Sequence, residues 1–437
     1  MQAQVYSCAE RKRLIIASGS QDSRMPQFHA RISAFSVACA MIRTVDFLRF
    51  VAAFCVACCC SGLPAFAQAR RLNVRQEFAW AEKQYSLLLQ SHPDLTKFPY
   101  SVRPDGTLKD TPSEWWTSGF FGGSLWYLYD YTRKPQWQQA ADRWSMAMAK
   151  EQHNTSTHDL GFMLYCPFGN GYRLTQNVAY KPILLTGAQS LATRFNPQVG
   201  LIKSWNEFAG FTYPVIIDNM MNLELLCWAA RTTGDSTLRR LSITHADNTL
   251  RHHFRPDGST YHVVCYDDHG QPLAKRTAQG AADNSAWARG QAWAIYGYTT
   301  MYRDTKLDRY RQQARKTADF FLNHPNLPAD KIPYWDFNAP RIPQEERDAS
   351  AAAIVASALL ELGQYCPAAD ARRYRKAAEQ ILLSLSSPQY RAAIGANQNF
   401  LLKHSVAHRP ANSEVDAPLV YADYYYLEAL LRYDKLK

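Results

Sequence analysis

Asp218 stands in Pro214-Val215-Ile216-Ile217-Asp218-Asn219-Met220-Met221-Asn222-Leu223, with apolar residues on both sides. A carboxyl desolvated in such a setting favours its acid form, and a proton donor at neutral pH requires that form. The plainer role for this residue is a helix N-cap. His158-Asp159-Leu160-Gly161-Phe162 sets a second carboxylate beside an imidazole, and here too Asp159 could simply cap a helix. Two further islands mix aromatic, glycine and polar residues. In Glu114–Trp126 (EWWTSGFFGGSLW) glycines follow tryptophans and would let a ligand come close. The stretch His262–Trp293 holds Gln279, Trp287, Arg289, Gln291 and Trp293. An Arg fork can grip a carboxylate through two parallel bonds, and Trp can stack on a sugar ring.

Other chemistries lack their residues. The sequence has no G-x-S-x-G, no P-loop, no dinucleotide fingerprint and no H-E-x-x-H. His252 and His253 are adjacent in a helical pattern, so their side chains diverge and make a poor metal pair. No metal or cofactor is expected. The net charge of +11 comes from scattered Lys and Arg with no basic run interleaved with stacking aromatics, which fits an anionic small substrate better than nucleic acid.

The elements that would position these islands are helical. From Arg70 onward apolar residues recur at three- and four-residue spacing. This predicts helices near 75–91, 118–131, 136–150, 158–165, 175–194, 218–233, 236–254, 287–303, 306–323, 348–364, 369–386 and 419–433. Gly234 is a good C-cap, Asp235 and Ser236 offer the next N-cap, and Asp348 opens an alanine-rich run. Strand alternation is scarce, and the best case is Ser259–Asp267, a candidate hairpin arm. No Pro/Gly-rich linker interrupts residues 70–437, so a single all-α domain is expected. Four long loops, 99–117, 196–217, 255–286 and 325–347, gather Trp, His, Asp and Gly.

The N-terminus reads differently. Met41 begins a short basic stretch (Arg43, Arg49), an apolar run from Phe50 to Cys60 and a small-x-small site at Ala65-Phe66-Ala67. That is the layout of a secretory signal, too short to remain as a membrane span. Residues 1–40 are then an upstream extension, 41–67 the signal, and the destination the periplasm. Cys58-Cys59-Cys60 leave a lipoprotein as the minor alternative. Removing residues 1–67 takes 7 of the 49 Lys/Arg and 3 of the 38 Asp/Glu, which leaves a net charge of +7. Cys166, Cys227, Cys265 and Cys366 remain, without metal spacing, and are expected as buried thiols.

Taken in order, W-T-S-G-F at Trp116–Phe120, H-D-L-G-F at His158–Phe162, D-N-M-M-N-L at Asp218–Leu223 and W-A-R-G-Q-A-W at Trp287–Trp293 resemble glycoside hydrolase family 88, the unsaturated glucuronyl hydrolases. The resemblance spans about residues 75–435. It implies an (α/α)6 barrel, which agrees with the helix number but could not be chosen from it. It implies Asp218 as general acid and base, Asp159 as its assistant and Trp116 as the stacking surface for an unsaturated sugar. His158, Trp205, His262, Gln279, Arg289 and Trp293 fall at or beside substrate-binding positions. Ser285 departs from a position that is basic in some members, so sulfate and linkage preferences do not carry over. The implied partner is an oligosaccharide ending in an unsaturated uronic acid. The sister enzymes acting on unsaturated rhamnogalacturonan, a sugar epimerase on the same barrel and a non-catalytic glycan-binding protein remain as alternatives.

Overall fold

Two kinds of helix alternate along the chain, and burial tells them apart. The computed structural model describes residues 71–436. The expected upstream extension and signal, 1–67, lie outside that range. Among the described residues the helices are α1 (Val74–Ser91), α2 (Ser118–Thr132), α3 (Pro135–Met146), α4 (Asn170–Thr175), α5 (Tyr180–Ala192), α6 (Asn219–Thr233), α7 (Ser236–His253), α8 (Ala288–Thr305), α9 (Asp308–Asn323), α10 (Ala349–Leu362), α11 (Ala368–Leu385) and α12 (Val420–Lys435). A π-helix, Gly161–Gly169, runs directly into α4, so the two act as one element. None of these helices is long and apolar enough to cross a membrane.

Six elements close a ring. α2 packs on the π-helix, the π-helix on α6, α6 on α8, α8 on α10, α10 on α12, and α12 on α2 again. These inner helices meet neighbours on every side, so an amphipathic stripe would not serve them. All of α10 (ASAAAIVASALLEL) is buried, and its small residues allow close approach. The outer helices follow one stripe only. α9 buries Tyr310, Gln313, Ala314, Thr317, Ala318 and Phe321, and α11 buries Tyr374, Ala378, Ile381, Leu382 and Leu385, at three- and four-residue spacing. α1 reaches both α2 and α12 and covers the seam where the ring closes. The result is the (α/α)6 barrel.

Connections from an inner to an outer helix are short turns. Those from an outer to the next inner helix are mostly long, and they hold every named strand: β1 (Phe98–Val102), β2 (Leu108–Thr111), β3 (Phe195–Asn196), β4 (Leu201–Ile202), β5 (Pro214–Ile216), β6 (Val263–Tyr266), β7 (Pro272–Arg276), β8 (Ser405–His408) and β9 (Ser413–Ala417). β5, β6 and β7 form one antiparallel sheet, and the others pair as hairpins. The expected arm at 259–267 is thus β6, paired on both sides. The helix expected at 175–194 starts late because Gln176 adopts φ 56° and ends α4. Cys166, Cys227 and Cys265 are buried free thiols and Cys366 is half-buried.

α2 and the π-helix cross so closely that a Cβ on Gly119 would lie 2.3 Å from the Phe162 carbonyl oxygen. Gly119→Ala should lower stability by about 1–3 kcal/mol, read as a lower urea midpoint. An unchanged midpoint would show that the crossing can relax.

Candidate active site

The inner helices all start at one end of the barrel, and the islands gather there. Trp116 precedes α2, His158 and Asp159 precede the π-helix, Asp218 precedes α6, and Arg289 lies in the first turn of α8. Helix N-termini carry partial positive charge and unpaired N–H groups. Six of them around one cup favour an anionic ligand.

Strand pairing places Asp218. Ile216 on β5 faces Val263 on β6, and the Ile217 N–H donates to the His262 carbonyl at 3.0 Å. Asp218 follows at once, with its Oδ2 3.7 Å from His262 Nε2. The carboxyl does not cap α6. Its motif neighbours do the fastening: Asn219 Nδ2 donates to the Ile202 carbonyl at 2.9 Å, and Asn222 Oδ1 accepts the Phe162 N–H at 3.0 Å. Asp218 is only 8% exposed, and its Oδ2 has no hydrogen-bond partner. Burial pushes this carboxyl up to about 7; the Arg289 charge pulls against burial, and the Asp159 charge adds to it.

His262 is held in one tautomer. Its Nδ1 accepts the Ala278 N–H at 3.1 Å, so in the neutral ring the hydrogen sits on Nε2, which faces Asp218. Burial holds the imidazole well below its usual range and therefore neutral. The ring lies 4.5 Å from Trp287 and 6.1 Å, edge-on, from half-buried Trp205. His158 is arranged in the opposite sense. Its Nδ1 donates to the Ser204 carbonyl at 3.0 Å, and its Nε2 lies 3.3 Å from Asp159 Oδ1.

The other expected site residues are engaged within the protein to different degrees. The Arg289 fork is engaged by the protein: Nη1 meets Asp348 at 3.0 Å and the Val406 carbonyl, and Nη2 meets the Ala407 carbonyl at 2.6 Å. The guanidinium is 1% exposed, with both Nη groups bonded within the protein and Nε left without a partner. Trp293 is fully buried between Phe162 and Tyr425, and its indole N–H has no hydrogen-bond partner. Gln279 Nε2 donates to the Ala407 carbonyl at 2.8 Å, and Ser285 Oγ to Asp336 at 2.6 Å. Trp116 keeps a half-exposed ring, packed 5.0 Å from Tyr421.

Two residues escaped the sequence analysis. Tyr421 has a buried hydroxyl without a partner, and the Arg289 guanidinium lies 5.4 Å from its ring. Nothing in the aromatic run of α12 marks it. Asp348 was visible only as a helix cap. One of its oxygens does cap α10 through the Ser350 N–H, and the other holds Arg289.

A second cavity, of about 360 Å³, opens at the opposite end of the barrel. Its charged lining is already paired, as in Arg303 with Glu224, Arg432 with Glu428 and Arg173 with Asp130. At the N-terminal cup, by contrast, Asp218 Oδ2, His158 Nε2, His262 Nε2, Trp293 Nε1 and the Tyr421 hydroxyl are buried without a hydrogen-bond partner.

A helical barrel whose cup holds a neutral-range carboxylic acid beside aromatic rings has the build of a barrel-type glycoside hydrolase. Residues 95–361 match the family described as Glycosyl Hydrolase Family 88. An unsaturated glucuronyl hydrolase of Formosa agariphila is 43% identical over 369 residues, covering 83% of this chain and 91% of that one. An unsaturated chondroitin disaccharide hydrolase of Streptococcus agalactiae is 34% identical over 331 residues, 73% and 81% of the two chains. A crystal structure of an unsaturated glucuronyl hydrolase specific for heparin superposes with a TM-score of 0.81 at 47% identity, covering 83% of this chain and 97% of that one. The chain belongs to glycoside hydrolase family 88.

A carboxyl raised from 3.8 to about 7 binds its proton more tightly in the folded state. Its contribution to stability is full below about 4 and is lost as pH rises to about 7. The carboxyl carbon resonance of Asp218, assigned by its loss in Asp218→Asn, should titrate near 7. The variant should also lack that part of the stability slope. A midpoint near 4 would contradict the burial argument.

Proposed function

We propose that this enzyme removes the 4,5-unsaturated uronic acid from the non-reducing end of glycosaminoglycan oligosaccharides left by polysaccharide lyases. The observation that carries the reading is the Asp218 carboxyl, favoured as the acid up to about pH 7 in a cup of helix N-termini. Such a cup attracts the uronate carboxylate. The half-exposed Trp116 ring offers the sugar a flat apolar face, and His262 Nε2–H offers it a hydrogen-bond donor.

The chemistry follows from one acid group. Asp218 donates its proton to C4 of the vinyl ether, and positive charge develops at C5 and the ring oxygen. Asp159 supplies a nearby negative charge that favours this state. Water adds at C5, and the Asp218 carboxylate takes the water's proton, which restores the acid. The product is a hemiketal. It opens, breaks the glycosidic bond and releases the rest of the oligosaccharide. No covalent bond to the protein forms.

The relative at 47% identity is described as specific for heparin, so heparin-derived disaccharides head the candidate substrates. Ser285, bonded to Asp336, brings no charge for a sulfate. The proposal includes export: residues 41–67 direct the chain to the periplasm, and the mature enzyme begins at Gln68. N-terminal sequencing checks this, and a start well before Gln68 would refute it.

Asp218→Asn should slow the loss of ultraviolet absorbance from unsaturated disaccharides by about 10²–10⁴-fold while substrate binding persists. A panel of unsaturated heparin, chondroitin, hyaluronan and rhamnogalacturonan disaccharides gives the substrate. Consumption of the last alone would move the chain to the sister activity. Near-normal turnover by Asp218→Asn would remove Asp218 from the mechanism.

A further inference from the structure

A row of rings leads away from the acid. His262 Nε2 lies 3.7 Å from Asp218 Oδ2, the Trp205 ring stands 6.1 Å from the His262 ring, and the Phe208 ring 5.3 Å from Trp205. Exposure grows along it: Asp218 and His262 are buried, Trp205 and Phe208 half-buried, and Ala209 and Gly210 beyond them exposed. The row therefore climbs from the floor of the cup to its rim. The segment that carries its outer end is built to hold still. Phe208 and Phe211 exchange N–H···O bonds at 3.0 and 2.9 Å around Ala209 and Gly210. The φ values of these two residues, 52° and 81°, make a tight hairpin turn. Glycine takes such an angle freely, but alanine takes it only at a cost in strain. At the base of the segment the Ser204 N–H donates to the Pro214 carbonyl at 3.0 Å, and the Ser204 carbonyl accepts from Arg194 Nη2 at 3.0 Å. Trp205, Phe208 and Phe211 rest together on Ile216, Val263 and Cys265 of the β5–β6–β7 sheet.

We propose that the Phe208 ring stacks on the third sugar of a bound chain, counted from the unsaturated end, so that the enzyme is fitted to oligosaccharides longer than a disaccharide. The inference rests on the proposed reaction, which puts the first sugar against Asp218. Each step from ring to ring is about the length of one monosaccharide. The second sugar then falls beside Trp205 and the third beside Phe208. A sugar brings a flat apolar face, and a ring already fixed by a tight turn loses little freedom in receiving it. The contact is remote from the bond that breaks. It therefore holds the ground state and the transition state alike, and it acts on KM rather than on kcat.

Unsaturated disaccharides and tetrasaccharides of heparin, chondroitin and hyaluronan, each pair made of one repeating unit, test this on the full chain. For the pair that is consumed, KM should be lower for the tetrasaccharide. Phe208→Ala should raise KM for the tetrasaccharide about three- to tenfold. It should leave KM for the disaccharide, and kcat for both, unchanged. Phe208→Leu keeps an apolar side chain on the sheet but has no flat face, so it should match the alanine variant on the tetrasaccharide. An equal change for both lengths would make Phe208 a support of the loop alone and would overturn the proposal. A leucine variant that behaves as the unaltered chain would overturn it too, since stacking needs the ring. If no pair is consumed, the proposed function is wrong and this assignment falls with it. If disaccharides are consumed and both variants are silent, only the assignment of Phe208 falls.

Discussion

The parallel direction of the six inner helices is the constraint from which the rest follows. Each peptide dipole points the same way, so the barrel has a positive end and a negative end. At the negative end the last turns of α4, α6, α8 and α12 carry Arg173, Arg231, Arg303 and Arg432. These cations answer the exposed carbonyls. They are held in turn by carboxylates: Arg303 meets Glu224, Asp304 and Glu361, and Arg432 meets Glu361 and Glu428. Removing one partner strands the carboxylates Asp304, Glu361 and Glu428, whose side chains are 6–9% exposed. That end is therefore locked, and chemistry is left to the positive end.

Loop length reinforces the division. α2, α6 and α8 hand over to their outer helices through tight turns closed by Arg133, Gly234 and Lys306, all with positive φ. Such turns have no room for side-chain assemblies. The return connections are long enough to fold back as hairpins, and β5–β6 pairing brings residues 218 and 262 together across more than forty positions of sequence. An α/α barrel thus places its variable segments where the helix dipoles already favour an anion.

Much of this was legible in the sequence, for physical reasons that differ by element. Helix spacing marked the outer helices and most inner ones but not the inner element of residues 161–175, of which only the stretch to 165 was expected as helix, and local capping marked some ends: Asp235 accepts the Thr237 and Leu238 N–H groups, and Gly234 takes φ 77°. The loops 99–117, 196–217, 255–286 and 325–347 stood out because they gathered polar and aromatic residues between periodic segments. The loop before α12 did not, and it holds β8. The apolar frame of Asp218 was readable because β5 is itself apolar. The fate of Arg289 was not. Its carbonyl partners on β8 lie 117 and 118 residues away, and no local pattern encodes that distance. Trp293 looked like a stacking ring because sequence shows an indole but not which side of an inner helix it occupies.

The proton on Asp218 is accordingly a property of the closed barrel rather than of one motif. The acid stands at the start of α6. The cation that opposes its burial comes from α8 and is fixed by Asp348, which also caps α10. Tyr421 on α12 lies against that same cation, and the second carboxylate precedes the π-helix. Burial alone would drive the carboxyl too high to release its proton readily, and Arg289 alone would strip it. Their balance near neutrality requires α6, α8, α10 and β8 to be docked together. A loosened ring would admit water and shift the acid toward its ordinary value, so the donor would be lost before the fold was.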